Sequence, residues 1–310
     1  AGVAFSCAPD PAPALMLALQ TSMVLPDDVS HIGLRISSEE PETLGQVIFE
    51  DVRPTSLSDE GRYVSFPATI AVLPNEKAAP RVRVRVVAFC AQVDDVGNAD
   101  VSSAGASILR DVVTTVPTDR VGVLRVSISV ASEGGADGDL ETVRLSDLGS
   151  VRSTCASRDE SDVGGRCRPA EVDSSTLPSF EGDEALAGGA CIPVPECFVG
   201  AVSLAVDLAS CSLPVPPDAA YNLGLDRGPV SALAAPFFCL DAMPDVCVLP
   251  LPSDSDLGYR VSDGRVELAP GVCRALESGR ALGLVGSNAC DPFTEDQAPC
   301  APWNLASRPM

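Results

Sequence analysis

The sequence predicts an all-β fold in two styles. An N-terminal immunoglobulin-like sandwich is followed by a disulfide-stapled, β-rich C-terminal domain with one short helix. Three observations carry this prediction. The first half shows apolar/polar alternation, above all in Arg81-Val82-Arg83-Val84-Arg85-Val86-Val87, where a period of two puts valines on one face and arginines on the other. The twelve cysteines are unevenly divided: Cys7 and Cys90 precede Cys155, Cys167, Cys191, Cys197, Cys211, Cys239, Cys247, Cys273, Cys290 and Cys300. Finally, 27 prolines and 25 glycines in 310 residues demand many turns, while 4% aromatic content leaves Val, Leu and Ala to fill the core.

Residues 1–132 read as successive strands of the sandwich domain. Ala14-Leu15-Met16-Leu17-Ala18-Leu19 is an apolar run bounded by Pro13 and the polar Gln20-Thr21-Ser22. His31-Ile32-Gly33-Leu34-Arg35-Ile36 alternates. Gln46-Val47-Ile48-Phe49 follows an acidic loop, and Ala68-Thr69-Ile70-Ala71-Val72-Leu73 stops at the turn signal Pro74-Asn75. The arginine face of residues 81–87 reads as a solvated sheet surface beside an acidic neighbour. Residues 120–130 form another long alternating strand. Such spacing predicts an antiparallel sandwich of immunoglobulin size.

Residues 133–195 form a Cys-bridged linker region. Gly134-Gly135-Ala136-Asp137-Gly138-Asp139 reads as a flexible acidic turn. Residues 156–166, between Cys155 and Cys167, are too polar to fold around a core of their own. A local bridge would order them, contributing about 3 kcal/mol by loop closure.

Residues 196–310 form the disulfide-rich β domain. Strands return with the apolar stretch 198–208, which ends near Cys211. Residues 237–240 and 246–249 predict a hairpin bridged by Cys239 and Cys247. Tyr259-Arg260-Val261 and Arg265-Val266-Glu267-Leu268 flank Ser262-Asp263-Gly264, where Asp-Gly signals a hairpin. Pro270 opens a short helix over residues 271–278, closed by Gly279. Residues 281–285 form a last strand, followed by a loop from Cys290 to Cys300. Cys7 with Cys90 completes the pairings expected from spacing.

The formal net charge is −22, from 43 acidic against 21 basic residues. Such a surface repels nucleic acid and anionic lipid. An even cysteine count at short spacings reads as a disulfide framework, which belongs in an oxidising compartment. The expected location is therefore extracellular or at the cell surface. No apolar stretch near the start is long enough to span a membrane. No basic residue precedes Arg35, so the expectation is that a signal peptide has been removed. Ala4-Phe5-Ser6-Cys7 has the shape of a bacterial lipoprotein cleavage site. Lipidating Cys7 would leave an odd cysteine, so parity favours a disulfide there.

Three segments carry a family resemblance. They are Leu19-Gln20-Thr21-Ser22-Met23-Val24-Leu25-Pro26-Asp27-Asp28-Val29; Leu109-Arg110-Asp111-Val112-Val113-Thr114-Thr115-Val116-Pro117-Thr118-Asp119-Arg120; and Tyr259-Arg260-Val261-Ser262-Asp263-Gly264-Arg265-Val266 through Cys273-Arg274-Ala275-Leu276. Together they resemble a group of uncharacterised surface and lipoprotein-like proteins of myxobacteria and related bacteria. The resemblance implies compartment and architecture and supplies no catalytic residues.

Chemistry-bearing motifs are sparse. His31 is the single histidine and reads as a surface residue at a strand end. The sequence has no Gly-x-Ser-x-Gly elbow, phosphate loop, dinucleotide fingerprint or Cys-x-x-Cys pair. A carboxylate-dependent hydrolase is the least favoured reading, because Trp303 and three tyrosines offer few sugar platforms. Asp94-Asp95-Val96-Gly97-Asn98-Ala99-Asp100 places oxygens at alternating positions around a glycine. Asp94, Asp95, Asn98 and Asp100 are accordingly the candidate calcium ligands, with Asp137/Asp139 and Asp254/Asp256 as weaker versions. No other cofactor is expected. The leading expectation is a non-enzymatic structural or adhesive protein, a subunit of a bacterial surface filament or layer. It would associate with itself or other surface proteins, with the N-terminal apolar strand adding to a neighbour's sheet edge. A calcium-assisted module binding glycan or another ligand is the alternative.

Overall fold

The structure is a computed structural model. It describes residues 12–23, 28–29, 31–38, 43–50, 52–54, 64–66, 68–73, 80–93, 99–138, 148–181, 193–215, 221–228, 238–240 and 243–295. Residues 43–50, 52–54, 64–66, 68, 90–93, 99–104, 238–240 and 243–246 are described by their backbone alone. The protein is all-β, with two short α-helices among the described residues. None of these helices is long and apolar enough to cross a membrane.

The N-terminal strands are β1 (Ala14–Thr21), β2 (His31–Ser38), β3 (Thr43–Glu50), β4 (Val52–Pro54), β5 (Val64–Phe66), β6 (Ala68–Val72), β7 (Arg81–Val93), β8 (Ala99–Thr115) and β9 (Val121–Ile128). They form a three-stranded sheet, β6-β1-β9, and a four-stranded sheet, β3-β2-β7-β8, with β4 and β5 as a small separate pair. Alternation decides which side chains meet between the sheets. Leu15, Leu17 and Leu19 of β1 and Leu124, Val126 and Ile128 of β9 share one core with Val82, Val84 and Val86 of β7. Two departures from the sequence reading appear. First, β1 runs parallel to β9 and antiparallel to β6, so the sandwich is not purely antiparallel. With both edges paired internally, β1 is not the intersubunit strand it was expected to be. Second, β8 extends over 17 residues, a strand that its small residues Ala99 to Ser107 had concealed.

The linker region is built against this sandwich. It contains β10 (Ala136–Asp137), β11 (Arg152–Ser153), β12 (Glu160–Val163) and β13 (Arg166–Pro169). Leu148 is fully buried and lies on Gly33 of β2, where a Cβ would stand 2.4 Å from the leucine side chain. Beyond β13 the chain crosses from one sheet to the other. Val113 N–H donates to Ala170 O, and Val172 N–H donates to Val113 O, at the edge of β8. Val123 N–H then donates to Pro178 O, and Phe180 N–H donates to Val121 O, at the edge of β9. Residues 170–180 thus clasp one side of the sandwich and occupy two edges that would otherwise offer unpaired backbone.

The C-terminal elements are α1 (Val194–Cys197), β14 (Val202–Leu204), β15 (Ser212–Pro214), β16 (Asn222–Asp226), β17 (Phe238–Leu240), β18 (Met243–Leu251), β19 (Tyr259–Ser262), β20 (Arg265–Leu268), α2 (Pro270–Glu277) and β21 (Gly283–Ser287). One sheet has the order β14-β21-β16-β18-β17 and the other β15-β20-β19. The β19–β20 turn has Asp263 at φ 49° and Gly264 at φ 73°, the two left-handed residues of a tight hairpin. Pro270 begins α2, and Gly279 at φ 74° follows its end. The apolar stretch 198–208 yields only the three residues of β14, because a left-handed Gly200 turns the chain first. One hydrophobic core runs from β1 through β9 into β16, β18, β20 and α2.

Candidate functional site

The strongest concentrations of ionisable side chains lie where the linker region and the C-terminal elements meet the sandwich. The arginine face of β7 is the first. Arg85 donates from Nε and Nη2 to the two carboxylate oxygens of Asp111 at 2.9 and 2.7 Å. Its Nη1 also donates to Leu148 O and Val151 O, both at 3.1 Å. Arg83 reaches Arg158 O at 2.9 Å and the Asp159 carboxylate at 3.4 Å. Arg81 pairs with Glu171 at 3.3 Å. The acidic neighbour is therefore Asp111 on β8, and the face is only partly solvated, with Arg81 exposed and Arg83 and Arg85 largely covered. Its arginines satisfy the carbonyls and carboxylates of the linker region that covers them.

A second cluster centres on Asp256. Arg168 donates to both of its oxygens at 2.6 and 2.7 Å, and Arg166 and Arg260 reach Oδ1 at 3.1 and 2.9 Å. Hydrogen bonds from these guanidiniums, led by Arg168, hold the Asp256 carboxyl below its ordinary range. Three cations around one carboxylate repel a metal ion, so Asp256 does not serve the weaker calcium reading of Asp254/Asp256. Nearby, burial pushes the Tyr259 hydroxyl up to about 12, so it remains a donor, here to Tyr221 O at 2.7 Å.

The third cluster is the seam between the sandwich and α2. Asp28, in the loop before β2, accepts from Arg227 at 2.5 Å and from Arg280 at 3.1 Å. Arg280 also pairs with Glu133 at 3.0 Å. Arg274 of α2 donates to Glu133 O at 3.0 Å. Alongside, Gly165 N–H donates to Asp162 Oδ1 at 3.0 Å, and Arg110 Nη1 donates to Asp162 O at 2.8 Å. Desolvation raises the pKa of both Glu133 and Asp162 and outweighs the arginines around them. It also lowers that of Arg110. Sequence reasoning gave no signal for this seam, because its members come from six separated segments.

The disulfides tie the same regions. Cys155–Cys167 closes the polar linker loop as the spacing predicted. Cys197–Cys290 and Cys211–Cys273 span 93 and 62 residues. Cys290 thus reaches back to α1 instead of closing a loop with Cys300. Cys247 is disulfide-bonded, and its backbone stands opposite Cys239. Cys7, Cys191 and Cys300 lie outside the described residues, and Cys90 is described by its backbone in β7.

Other expected site residues fare differently. Asp94, Asp95 and Asn98 lie outside the described residues, while the Asp100 backbone already belongs to β8, opposite Gln92. Asp137 stands in β10, and Asp139 lies outside the described residues. Among the described residues no group of three His, Cys, Asp or Glu side chains is placed to hold a metal. His31 is 6% exposed, not a surface residue, and stands in β2 between β3 and β7. No family model, curated protein or solved structure matches this chain.

Proposed function

We propose that this chain is a non-enzymatic, extracytoplasmic structural or adhesive protein that acts as a rigid module of a bacterial surface assembly. The observation that carries the reading is the use made of its charges and cysteines. Asp111, Asp256 and Asp28 each hold two or more arginines, and disulfides close the linker loop and anchor α1 and α2. Such cross-linking suits a protein that must keep its shape in an oxidising, unprotected environment. The resemblance to myxobacterial surface proteins belongs to the same reading. Contacts with further copies, or with other surface proteins, would use surfaces other than β1, which is paired on both edges.

The test is protease shaving of intact source cells, with thiols alkylated before lysis and bridges mapped by non-reducing mass spectrometry. Peptides of this chain should be released from the cell exterior, with Cys155–Cys167, Cys197–Cys290 and Cys211–Cys273 intact. Recovery only after lysis, with alkylated thiols at those six positions, would overturn the proposal. Sedimentation of the purified protein at rising concentration separates self-assembly from attachment to other surface molecules.

A further inference from the structure

Two carboxylates at the seam, Asp162 buried and Glu133 with 22% of its side chain exposed, have few protein donors for their charge. Glu133 follows the short 3-10 turn Val130–Ser132, against which α2 packs. Its carboxylate receives Arg280, a guanidinium already shared with Asp28. Asp28 faces it as a like charge, and Arg227, the other cation nearby, is bonded to Asp28. Arg274 is spent on the backbone carbonyl of Glu133. Asp162 lies between two glycines: a Cβ at Gly135 would stand 2.8 Å from its own Cβ, and Gly165 donates its N–H from the other side. Arg110 faces it from β8 but bonds its carbonyl and is itself near Glu295, while Arg274 faces it from α2. An ionised carboxylate can accept about four hydrogen bonds. Each of these two receives one among the described partners.

We propose that this seam is an acid-tightened clamp: on moving from neutral to mildly acidic surroundings, Glu133 and Asp162 take up protons and the hold of α2 on the sandwich strengthens. The direction follows from linkage. Opening the seam returns both carboxylates to water, where they ionise more readily than in the closed state. The closed state therefore binds more protons, and lowering the pH favours it. Protonation leaves Asp28 with both Arg227 and Arg280, so no guanidinium at the seam loses its last partner. The backbone contact of Gly271 with Ala131, too close for any Cβ, transmits the closure into α2. A surface protein built this way holds together best in an acidified medium.

The experiment is hydrogen exchange of the α2 amides at steps from pH 7 down to pH 4, corrected for intrinsic exchange, on the full oxidised chain and on E133Q/D162N. Wild-type protection should rise on acidification, by up to roughly tenfold per pH unit for each proton taken up. In the variant, protection should be at least that of wild type at pH 7 and nearly flat with pH. Carboxyl-carbon NMR of the wild type provides a readout that needs no variant, and both side chains should titrate above the ordinary carboxylate range. Wild-type protection that is flat or falls on acidification would overturn the clamp, as would a full pH response in the variant. Ordinary titration of both carboxyls would overturn it equally.

Discussion

Asp111 shows how much one buried charge carries. Its side chain is 4% exposed and anchors Arg85 by a two-pronged pair, with Arg83 at 3.6 Å. Removing one partner of a buried pair leaves an uncompensated charge, which typically costs about 3–5 kcal/mol. Asp111→Ala should therefore lower stability by that order in urea denaturation and loosen the linker region that Arg85 also binds. Steric fit makes a second residue decisive. At Gly271 a Cβ would fall 1.5 Å from Ala131 O, a backbone atom that cannot step aside. Gly271→Ala should cost about 3 kcal/mol, the upper end of ordinary overpacking. Gly264→Ala, in open space at φ 73°, should cost only about 1 kcal/mol. Comparing the thermal midpoints of these two variants checks the ranking. The Asp263-Gly264 turn was legible because a local backbone demand selects glycine. The need at Gly271 was not, because the atom that excludes a side chain lies 140 positions away in sequence.

Among elements, strands were legible wherever alternation was strong. The valine face of β7, the hairpin β19–β20 and the helix at Pro270 lie where pattern and turn chemistry put them. What covers the other face of a strand has no local signature. The arginines of β7 alternate as a solvated face would, yet they meet Leu148, Val151 and Asp159 from another region. The Cys155–Cys167 loop was readable from polarity and spacing, whereas the clasp that follows it was not. This clasp depends on Arg120, whose guanidinium donates to Ser174 O at 2.9 Å and Ser175 O at 3.2 Å. Leu177 adds an apolar anchor in the main core. Leu177→Ala should cost about 2–5 kcal/mol. It should also raise amide exchange at Val123 and Phe180, whose N–H groups bridge β9 and the clasp, while Val84 and Val86 within the opposite sheet stay protected. Equal loss of protection at all four amides would show that residues 170–180 are no separate clasp.

For the molecule as a whole, the pH of greatest stability follows from two opposed groups of carboxylates. Glu133 and Asp162 have pKa values raised above 4.5 and 3.8 by burial, so the folded state binds their protons more tightly than the unfolded chain. Stability then rises as pH falls through their folded values and levels off below their ordinary ones. Asp256 has the opposite sign. Its pKa lies below 3.8 because of Arg168, Arg166 and Arg260, so its contribution is complete above that value and lost as pH falls through the depressed one. Self-repulsion reinforces the first trend, since protonation relieves a net charge of −22. The long bridges Cys197–Cys290 and Cys211–Cys273 set the baseline, at about 4–5 kcal/mol each by loop closure against about 3 for Cys155–Cys167, and do not titrate. Thermal unfolding of the oxidised protein from pH 3 to 8 should therefore show its highest midpoint in mild acid, near pH 4–5, and not at neutrality. Asp256→Asn should weaken the steep acid limb and leave the shallow neutral limb intact, whereas E133Q/D162N should flatten the neutral limb alone. A midpoint that climbs steadily to pH 8 would mean that depressed carboxylates dominate the whole molecule and that the seam has no part in its pH response.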